Sequence, residues 1–206
     1  MLIAHSNGMM VGKGGPYKRK LEYIESTGTQ YIDLGKTIQP NVDFEFTGTI
    51  VEDAANGCIF GESSFFSWGN DNPAYSLITT TGGTVYLRYG NSSANPIGMT
   101  SVGIGNVFTA TLSATDFVIN GQTVATVSRI SSFSSDVGTM AVFSRNFVNG
   151  VGITFAKVRV NHIRFGNVAD LIPVLDHNDT PCMYDRVSVA LFYNAGTGDF
   201  VIGPDL

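Results

Sequence analysis

The chain has 206 residues, of which 43 % are hydrophobic and 14 % are charged, and its formal net charge is −5. This balance excludes disorder driven by excess charge, because the apolar fraction is large enough to build a core. The negative charge also excludes the basic footprint with which proteins neutralise nucleic-acid phosphates. Residues typical of helix surfaces are scarce, whereas Val, Thr, Ser, Phe, Tyr and Gly are abundant. The composition therefore predicts an all-β fold.

The first residues differ in composition from the rest of the chain. Residues 1–20 contain four glycines and a proline that interrupt any periodic pattern, and they end in the basic triplet Lys18, Arg19 and Lys20. We interpret them as a flexible arm whose basic triplet docks on a partner; the alternative is a solvated segment before the first strand. Residues 1–10 lack the apolar core of a secretion signal, so we expect synthesis in a cytoplasm without export. No window approaches the roughly 18 apolar residues that span a bilayer, so we expect no membrane insertion.

From residue 21 to residue 206 the chain reads as one domain of short strands separated by turns. Residues 42–51 and 107–113 alternate apolar and polar side chains, which is typical of half-buried antiparallel strands. Between two further β-like runs lies Asn120-Gly121, a pair that predicts a hairpin with a type I′ turn. Other predicted strands cover residues 74–80, 84–89, 139–143, 153–165 and 187–193.

Three buried side chains are predicted from local pattern. The alternation of residues 153–165 changes near Phe155 and near His162, which indicates a β-bulge. His162 is expected to be a hydrogen-bonded core histidine. Cys58 and Cys182 have apolar neighbours and are expected to be two buried thiols.

Two blocks near the ends of the domain resemble a module common in structural proteins of bacteriophages and prophages, often tail or fibre proteins. The first block is LEYIESTGTQYIDLG at residues 21–35, and the others are LIPV at 171–174, MYD at 183–185, YNAGTGDF at 193–200 and GP at 203–204. That module is similar to concanavalin A-like, laminin-G-like jelly rolls. The resemblance implies a two-sheet antiparallel β-sandwich whose first and last strands lie side by side. Between about residues 52 and 138 only the spacing of the predicted strands matches that module.

Catalysis is not expected from the carboxylates and histidines. Glucanases on this fold carry Glu-x-Asp-x-x-Glu on one strand, which is absent here, and the nearest pair is Asp43 with Glu45. A retaining glycosidase needs two carboxyl groups roughly 5 Å apart. We interpret this pair instead as the solvent-facing side of an amphipathic strand. We therefore predict a non-enzymatic protein and keep a glycoside hydrolase as a third alternative.

No cofactor is predicted, and calcium is kept as an alternative. Residues 70–72 and 176–179 form oxygen-rich loops, and oxygen is the ligand that calcium prefers. The same Asn and Asp residues are common in ordinary turns.

A carbohydrate site is predicted from an aromatic and amide-rich stretch that holds the only tryptophan. Aromatic rings stack on the apolar side of a pyranose, and short polar side chains bind its hydroxyl groups. The candidate residues are Trp68, Asn70, Asp71, Tyr75, Tyr86, Arg88 and Tyr89. The alternative is that Trp68 and many of the tyrosines are core residues.

The function expected from these features is a structural protein of a bacteriophage virion, as a fibre, tail or capsid-decorating component. The sandwich would be exposed on the particle, attached to other virion proteins through the arm and joined in a homo-oligomer. The alternative is an adhesion module that recognises a polysaccharide of the host cell surface. After synthesis in the bacterial cytoplasm, the protein is expected in the virion.

Overall fold

A computed structural model describes residues 15–64, 73–91, 96–148, 150–151 and 154–206. In these ranges the protein is all-β, and the strands form two sheets with antiparallel pairing except for one short parallel pair. No helix in this part of the chain is long and apolar enough to cross a membrane. The fold class predicted from composition is confirmed at this level.

The larger sheet contains both ends of the domain. Its main path runs in the order β11-β10-β9-β4-β15-β16-β17-β18, while β1 pairs with β16 and β2 pairs with β15 and β19. Its strands in the described ranges are β1 (Arg19–Lys20), β2 (Ile24–Glu25), β4 (Phe44–Ile50), β9 (Val107–Ser113), β10 (Asp116–Ile119), β11 (Gln122–Thr126), β15 (Val158–Phe165), β16 (Ala169–Leu175), β17 (Pro181–Asp185), β18 (Ala190–Tyr193) and β19 (Val201–Ile202).

The smaller sheet is built mainly from the middle of the chain. Its main path is β14-β13-β5-β6-β7-β8, and β12 joins β3 to β5. Its described strands are β3 (Ile32–Asp33), β5 (Gly57–Ser63), β6 (Ala74–Thr80), β7 (Thr84–Gly90), β8 (Ile97–Ser101), β12 (Ala141–Val142), β13 (Asn146–Phe147) and β14 (Gly150–Val151). Strand β13 pairs with β5 in parallel.

Side chains from the two sheets share one aromatic core. Phe44 of the larger sheet contacts Phe60 and Tyr75 of the smaller sheet, with ring centroids 5.0 and 6.0 Å apart. Phe165 lies 5.1 Å from Phe60 in an edge-to-face arrangement. Such ring pairs add about 0.5–1.5 kcal/mol beyond the burial of their area. Two sheets packed face to face through these rings have the arrangement of a β-sandwich.

The strands predicted from strict alternation match the structure closely. Strand β9 has the predicted bounds, and β4 lies within the predicted residues 42–51. Ile119 pairs with Gln122 across the predicted hairpin. Asn120 and Gly121 have φ values of 49° and 78°, the positive values that a type I′ turn requires.

The other predicted strands are present, and all but the one at residues 74–80 differ in length from the prediction. The runs predicted at 74–80 and 84–89 are β6 and β7. The run predicted at 139–143 contains only the two residues of β12, and the run predicted at 187–193 forms a strand only from residue 190. Of the run predicted at 153–165, β15 covers the part from residue 158 onward, while residue 153 lies outside the described residues.

The bulge expected near His162 is present, and it corrects the placement of the histidine. The register of β15 against β4 shifts between Val160 and His162. Val160 and Ile163 are both fully buried, so the extra residue moves Ile163 into the core position that regular alternation gives to His162. The His162 side chain is instead 29 % exposed and hydrogen-bonds through Nε2 to Asp170, at 2.8 Å. The expected hydrogen bond is present, but the expected core position is wrong.

The two ends of the domain close the larger sheet as expected. Strand β2 pairs with β19, and the Gly203 amide donates to the Tyr23 carbonyl at 2.9 Å. Farther along, the amides of Ala195 and Thr197 donate to the carbonyls of Tyr31 and Thr29, at 2.8 and 3.1 Å. We call this contact between residues 21–35 and 193–204 the end seam.

The last residues of the predicted arm belong to the sandwich. Arg19 and Lys20 form β1, which pairs with Leu175 and Val174 of β16. The arm predicted for residues 1–20 is therefore corrected at its end, because β1 is held by backbone hydrogen bonds to the larger sheet. Residues 1–14 lie outside the described residues, and a flexible arm there stays a prediction.

The two cysteines are free and buried, as predicted. Burial raises the pKa of Cys58 and of Cys182 to about 12. Both therefore stay protonated at neutral pH and behave as small apolar groups.

Candidate ligand-binding face

Strand alternation separates the residues predicted to bind carbohydrate. In β7, Leu87 and Tyr89 point into the core, while Tyr86 and Arg88 point outward. Tyr75 of β6 points inward, is fully buried and donates its hydroxyl hydrogen bond to the Val42 carbonyl at 2.7 Å.

Tyr75 and Tyr89 are therefore corrected to core residues. Tyr89 is 5 % exposed and its hydroxyl donates to the Pro40 carbonyl, so neither ring offers a face for stacking on a sugar. Burial raises the pKa of Tyr75 well above its ordinary value. Trp68, Asn70 and Asp71 lie outside the described residues, and their role in sugar binding stays a prediction.

The residues of β6 and β7 that point away from the core between the sheets form a polar cluster with neighbours from other elements. We call this cluster the arginine face and define it by Cys58, Ser76, Tyr86, Arg88 and Arg145, of which all but Arg88 are buried. Tyr86 is 4 % exposed and donates its hydroxyl hydrogen bond to Asn56 Oδ1 at 3.2 Å, so its ring offers no open face for a sugar and its predicted stacking role is corrected.

Two guanidinium groups meet on the arginine face. Arg145 is 8 % exposed, and its guanidinium lies over the Phe147 ring at 4.9 Å. Arg88 is half-buried, and its guanidinium lies 6.0 Å from the centroid of the Tyr86 ring. The Nε atoms of both arginines are buried without a hydrogen-bond partner.

The electrostatic balance of this face is unusual. Burial lowers the pKa of Arg145, Cys58 opposes this in part, and the positive charge of Arg88 lowers the pKa further. Within the described ranges, neither arginine forms an ion pair with a carboxylate. Elsewhere the half-buried Arg129 guanidinium lies 2.9 Å from Asp43. Among the described residues, the face therefore holds two positive charges that no carboxylate balances.

Arg145 was missed in the sequence because its only signal is weak. It lies in a stretch between Asp136 and Asp170 that contains no carboxylate, so no acidic residue near it in sequence offers a partner. Its proximity to Arg88 depends on the parallel pairing of β13 with β5.

A second polar surface was also missed. Two adjacent hollows of about 420 and 450 Å³ share Asp136 and Val137 in their walls. Their other lining residues include Thr37, Gln39, Phe133 and Asn146. We call these two hollows the polar groove. Its hydroxyl, amide and carboxylate groups beside an aromatic ring fit a neutral polyol.

The loop considered for calcium is an ordinary turn. Asp176 Oδ1 accepts hydrogen bonds from the amides of Asn178 and Thr180, both at 2.8 Å, and these bonds lower the pKa of Asp176. Asp179 pairs with Lys18. The described residues contain no group of three His, Cys, Asp or Glu side chains that could hold a metal ion. Residues 70–72, the other loop considered, lie outside the described residues.

The carboxylates considered for catalysis each face an arginine. Arg129 Nη1 donates to Asp43 Oδ1 at 2.9 Å, and Arg164 lies 3.9 Å from Glu45. Each carboxylate is therefore part of a separate ion pair, which favours the interpretation as the polar face of β4.

The basic triplet is largely engaged within the chain. Lys18 Nζ lies 2.7 Å from Asp179, and Arg19 Nη1 lies 2.7 Å from Asp205. Lys20 is half-buried in β1. Of the three residues predicted to dock on a partner, two thus have carboxylate partners in the same domain.

Comparison with models of known protein families and with curated protein sequences gives no match. A function is therefore inferred from the geometry of the described residues together with the resemblance of the two end blocks.

Proposed function

We propose that this chain is a non-enzymatic structural protein of a bacteriophage virion, with a lectin-like sandwich of the concanavalin A-like jelly-roll type. The sandwich is exposed on the particle, and residues before β1 attach it to another virion protein. Its place in the particle is as a fibre, tail or capsid-decorating component.

The observation that carries the proposal is the end seam. The blocks that resemble the phage module are separated by most of the chain, yet they contact each other directly. Thr29 and Thr197 exchange two hydrogen bonds: the Thr197 amide donates to the Thr29 carbonyl at 3.1 Å, and Thr29 Oγ1 donates to the Thr197 carbonyl at 2.8 Å. Gly196 fits against Thr29 so closely that a Cβ would lie 2.1 Å from the Thr29 carbonyl oxygen. The resembling residues therefore act as one structural unit, which supports a common origin better than two separate matches would.

Attachment is assigned to residues 1–14. Lys18 and Arg19 form ion pairs within the domain, so their charges are already engaged. Arg19 and Lys20 also pair, as β1, with β16 of the larger sheet. A segment that precedes a fixed strand is well placed to bind a neighbour without disturbing the sandwich.

Particle composition tests the proposal. Particles purified from lysates of the strain that carries the gene are expected to contain the protein at a fixed copy number relative to the major capsid protein, measured by quantitative mass spectrometry. Deletion of residues 1–14 should abolish incorporation while the thermal midpoint of the purified protein stays unchanged. A Lys18→Gln variant is the matched control and should be incorporated normally. Absence of the wild-type protein from washed particles would refute the virion assignment.

A second function, adhesion to a polysaccharide of the host surface, is favoured by the arginine face. The buried Arg145 and the half-buried Arg88 have no carboxylate partner among the described residues, which is costly unless a ligand supplies negative charge. Retention of the protein on capsular polysaccharide from the host, compared with polysaccharide from a non-host strain, tests this function directly. An exposed virion component can serve both functions.

A further inference from the structure

We propose that the arginine face binds the carboxylate of an acidic polysaccharide, with Arg88 at the entrance and Arg145 beneath it. This inference rests on the adhesion function and names the ligand class of that site. It does not depend on which position the protein takes in a virion.

The charge of the arginine face favours an anionic ligand. A buried guanidinium without an anionic partner is destabilising, because it loses its hydration and no ion pair offsets that loss. The nearest carboxyl group along β5, that of Glu62, lies opposite Tyr75 in register and points into the core, away from the face. In the sequence, Asp71 is the one acidic residue outside the described ranges. Among the described residues no carboxylate therefore balances the two guanidinium charges, and an external anion would do so.

The geometry of the guanidinium groups favours a carboxylate as that anion. A guanidinium presents its donors in a planar fork that matches a carboxylate, and two such groups can hold the two oxygens of one anion. Arg145 is 8 % exposed and is held over Phe147, so it is positioned before a ligand arrives. Arg88 is half-buried, so ligands reach the face from its side.

The charge of the two guanidinium groups determines the selectivity. The Tyr86 ring is 4 % exposed and is not open for stacking on a sugar. Ser76 lies on the same face and donates its hydroxyl hydrogen bond to the Glu62 carbonyl at 3.5 Å. A neutral sugar would leave both guanidinium groups without an anion, so the face discriminates in favour of acidic sugars. The polar groove, with Asp33 and Asp136 in its walls, has the opposite charge and suits neutral sugars.

Binding of the full chain to three polymers tests the proposal. Biolayer interferometry with immobilised protein would compare polygalacturonate, which carries carboxylates, with dextran, which is neutral, and dextran sulfate. We expect binding to polygalacturonate that weakens as sodium chloride rises from 50 to 500 mM, because salt screens exposed charges. No binding to dextran is expected at the arginine face.

The mutational test replaces Arg88, because replacement of the buried Arg145 is expected to destabilise the fold. Arg88→Gln should weaken polygalacturonate binding at least tenfold, and Arg88→Lys should give an intermediate loss because it keeps the charge without the planar fork. The matched control is Arg164→Gln, which removes the same charge from the larger sheet, where Arg164 faces Glu45. Thermal midpoints of all variants are measured in parallel.

Four outcomes would overturn the inference. The first is equal polygalacturonate affinity of Arg88→Gln and Arg164→Gln, and the second is binding of dextran sulfate alone. The third is destabilisation by Asp71→Asn equal to that by Arg88→Gln with no polymer bound, which would identify Asp71 as the partner of the arginines. The fourth is dextran binding that is lost in Asp136→Asn while polygalacturonate does not bind, which would keep the adhesion function in the polar groove. Particle incorporation of Arg88→Gln is unaffected in every case, so failure here is distinguishable from failure of the virion proposal.

Discussion

Two buried carboxyl groups, one in each sheet, behave in opposite ways. Asp185 lies at the end of β17 in the larger sheet, and Glu62 lies in β5 of the smaller sheet. Both residues are 0 % exposed. Their ionisation differs because their hydrogen-bond donors differ.

Asp185 has donors on both of its oxygens. The amides of Asp170 and Val187 donate to Oδ1 at 2.8 and 3.0 Å, and the Ser188 hydroxyl donates to Oδ2 at 2.6 Å. Lys36 Nζ lies 3.4 Å from Oδ2. Burial raises the pKa of Asp185, but these donors outweigh it, and the pKa lies below its ordinary value. The carboxylate is ionised at neutral pH.

Glu62 has one donor. The Ile38 amide donates to Oε2 at 2.9 Å, while Oε1 is buried without a partner. Burial raises the pKa of Glu62 to about 9, and the single hydrogen bond opposes this only in part. The carboxyl group is neutral at pH 7.

The difference is consistent with the binding site that we propose on the smaller sheet. Buried polar groups of folded proteins usually have partners, so exceptions need an explanation such as a ligand site. In the described ranges, buried polar atoms without a partner are concentrated in or beside the smaller sheet, at Glu62, Ser64, Thr79, Arg88, Arg145 and Asn146. The larger sheet holds the end seam and the Asp185 network, which stabilise the fold.

Replacement of Asp185 removes the buried carboxylate that has hydrogen-bond donors on both oxygens. Asp185→Asn leaves Lys36 and two amides without their anionic acceptor, and we expect a loss of about 3 kcal/mol in the free energy of unfolding at pH 7. Because the folded pKa is lowered, the wild-type stabilisation is present above the unfolded pKa of about 3.9 and is lost as pH falls through the folded pKa. Urea unfolding at pH 7 and at pH 3 should show the variant closer to wild type at pH 3. Asp116→Asn, at an exposed position of β10, is the control and should change stability little.

A substitution in the end seam tests whether closure of the larger sheet determines stability. Gly196→Ala places a Cβ 2.1 Å from the Thr29 carbonyl oxygen, so the backbone must move. Overpacking of this kind costs about 1–3 kcal/mol, and we expect about 2 kcal/mol because both sides of the contact are backbone. Gly15→Ala is the control, since its Cβ would come no closer than 3.8 Å to the nearest atom. Equal thermal midpoints of the two variants would contradict a tight seam.

Replacement of Glu62 tests the buried carboxyl group that has only one described hydrogen-bond donor. Because the pKa of Glu62 is raised from 4.5 to about 9, the folded state keeps a proton that the unfolded chain releases. Wild-type stability is therefore full below pH 4.5 and falls as pH rises toward 9. Glu62→Gln removes this dependence, and we expect a gain of about 1.5 kcal/mol at pH 7, where the added amide donors offset part of the relief. A wild-type unfolding free energy that stays flat between pH 5 and pH 9 would contradict a neutral Glu62.

The sequence predicted the parts of the fold that depend on local pattern. The bounds of β9 and the Asn120-Gly121 hairpin followed from alternation and turn preference, since both signals lie within a few residues. The pairing of β2 with β19 followed from the resemblance of the end blocks. The placement of His162 failed because a bulge changes which residue faces the core, and alternation alone does not fix the extra residue.

The candidate site was predictable only in part. Alternation along β7 separates Arg88 from Tyr89, but the direction of the core is fixed only by the pairing with β6. Arg145 reaches the arginine face through a parallel contact of distant residues, and no local pattern encodes it. The polar groove likewise depends on residues 132–137 lying beside Thr37, far away in sequence.

The ion pair between Lys18 and Asp179 is expected to have the smallest effect, and it sharpens the contrast with the buried Asp185. The two side chains are 48 % and 54 % exposed, although their charged atoms lie 2.7 Å apart. Water and salt screen such a pair, so a double-mutant cycle with Lys18→Gln and Asp179→Asn should give a coupling of about 0.5 kcal/mol or less. Strand β1 would then be held mainly by its pairing with β16, and deletion of residues 1–20 should cost far more stability than deletion of residues 1–14. A coupling above about 1 kcal/mol that persists in 500 mM sodium chloride would instead make the ion pair the anchor of β1.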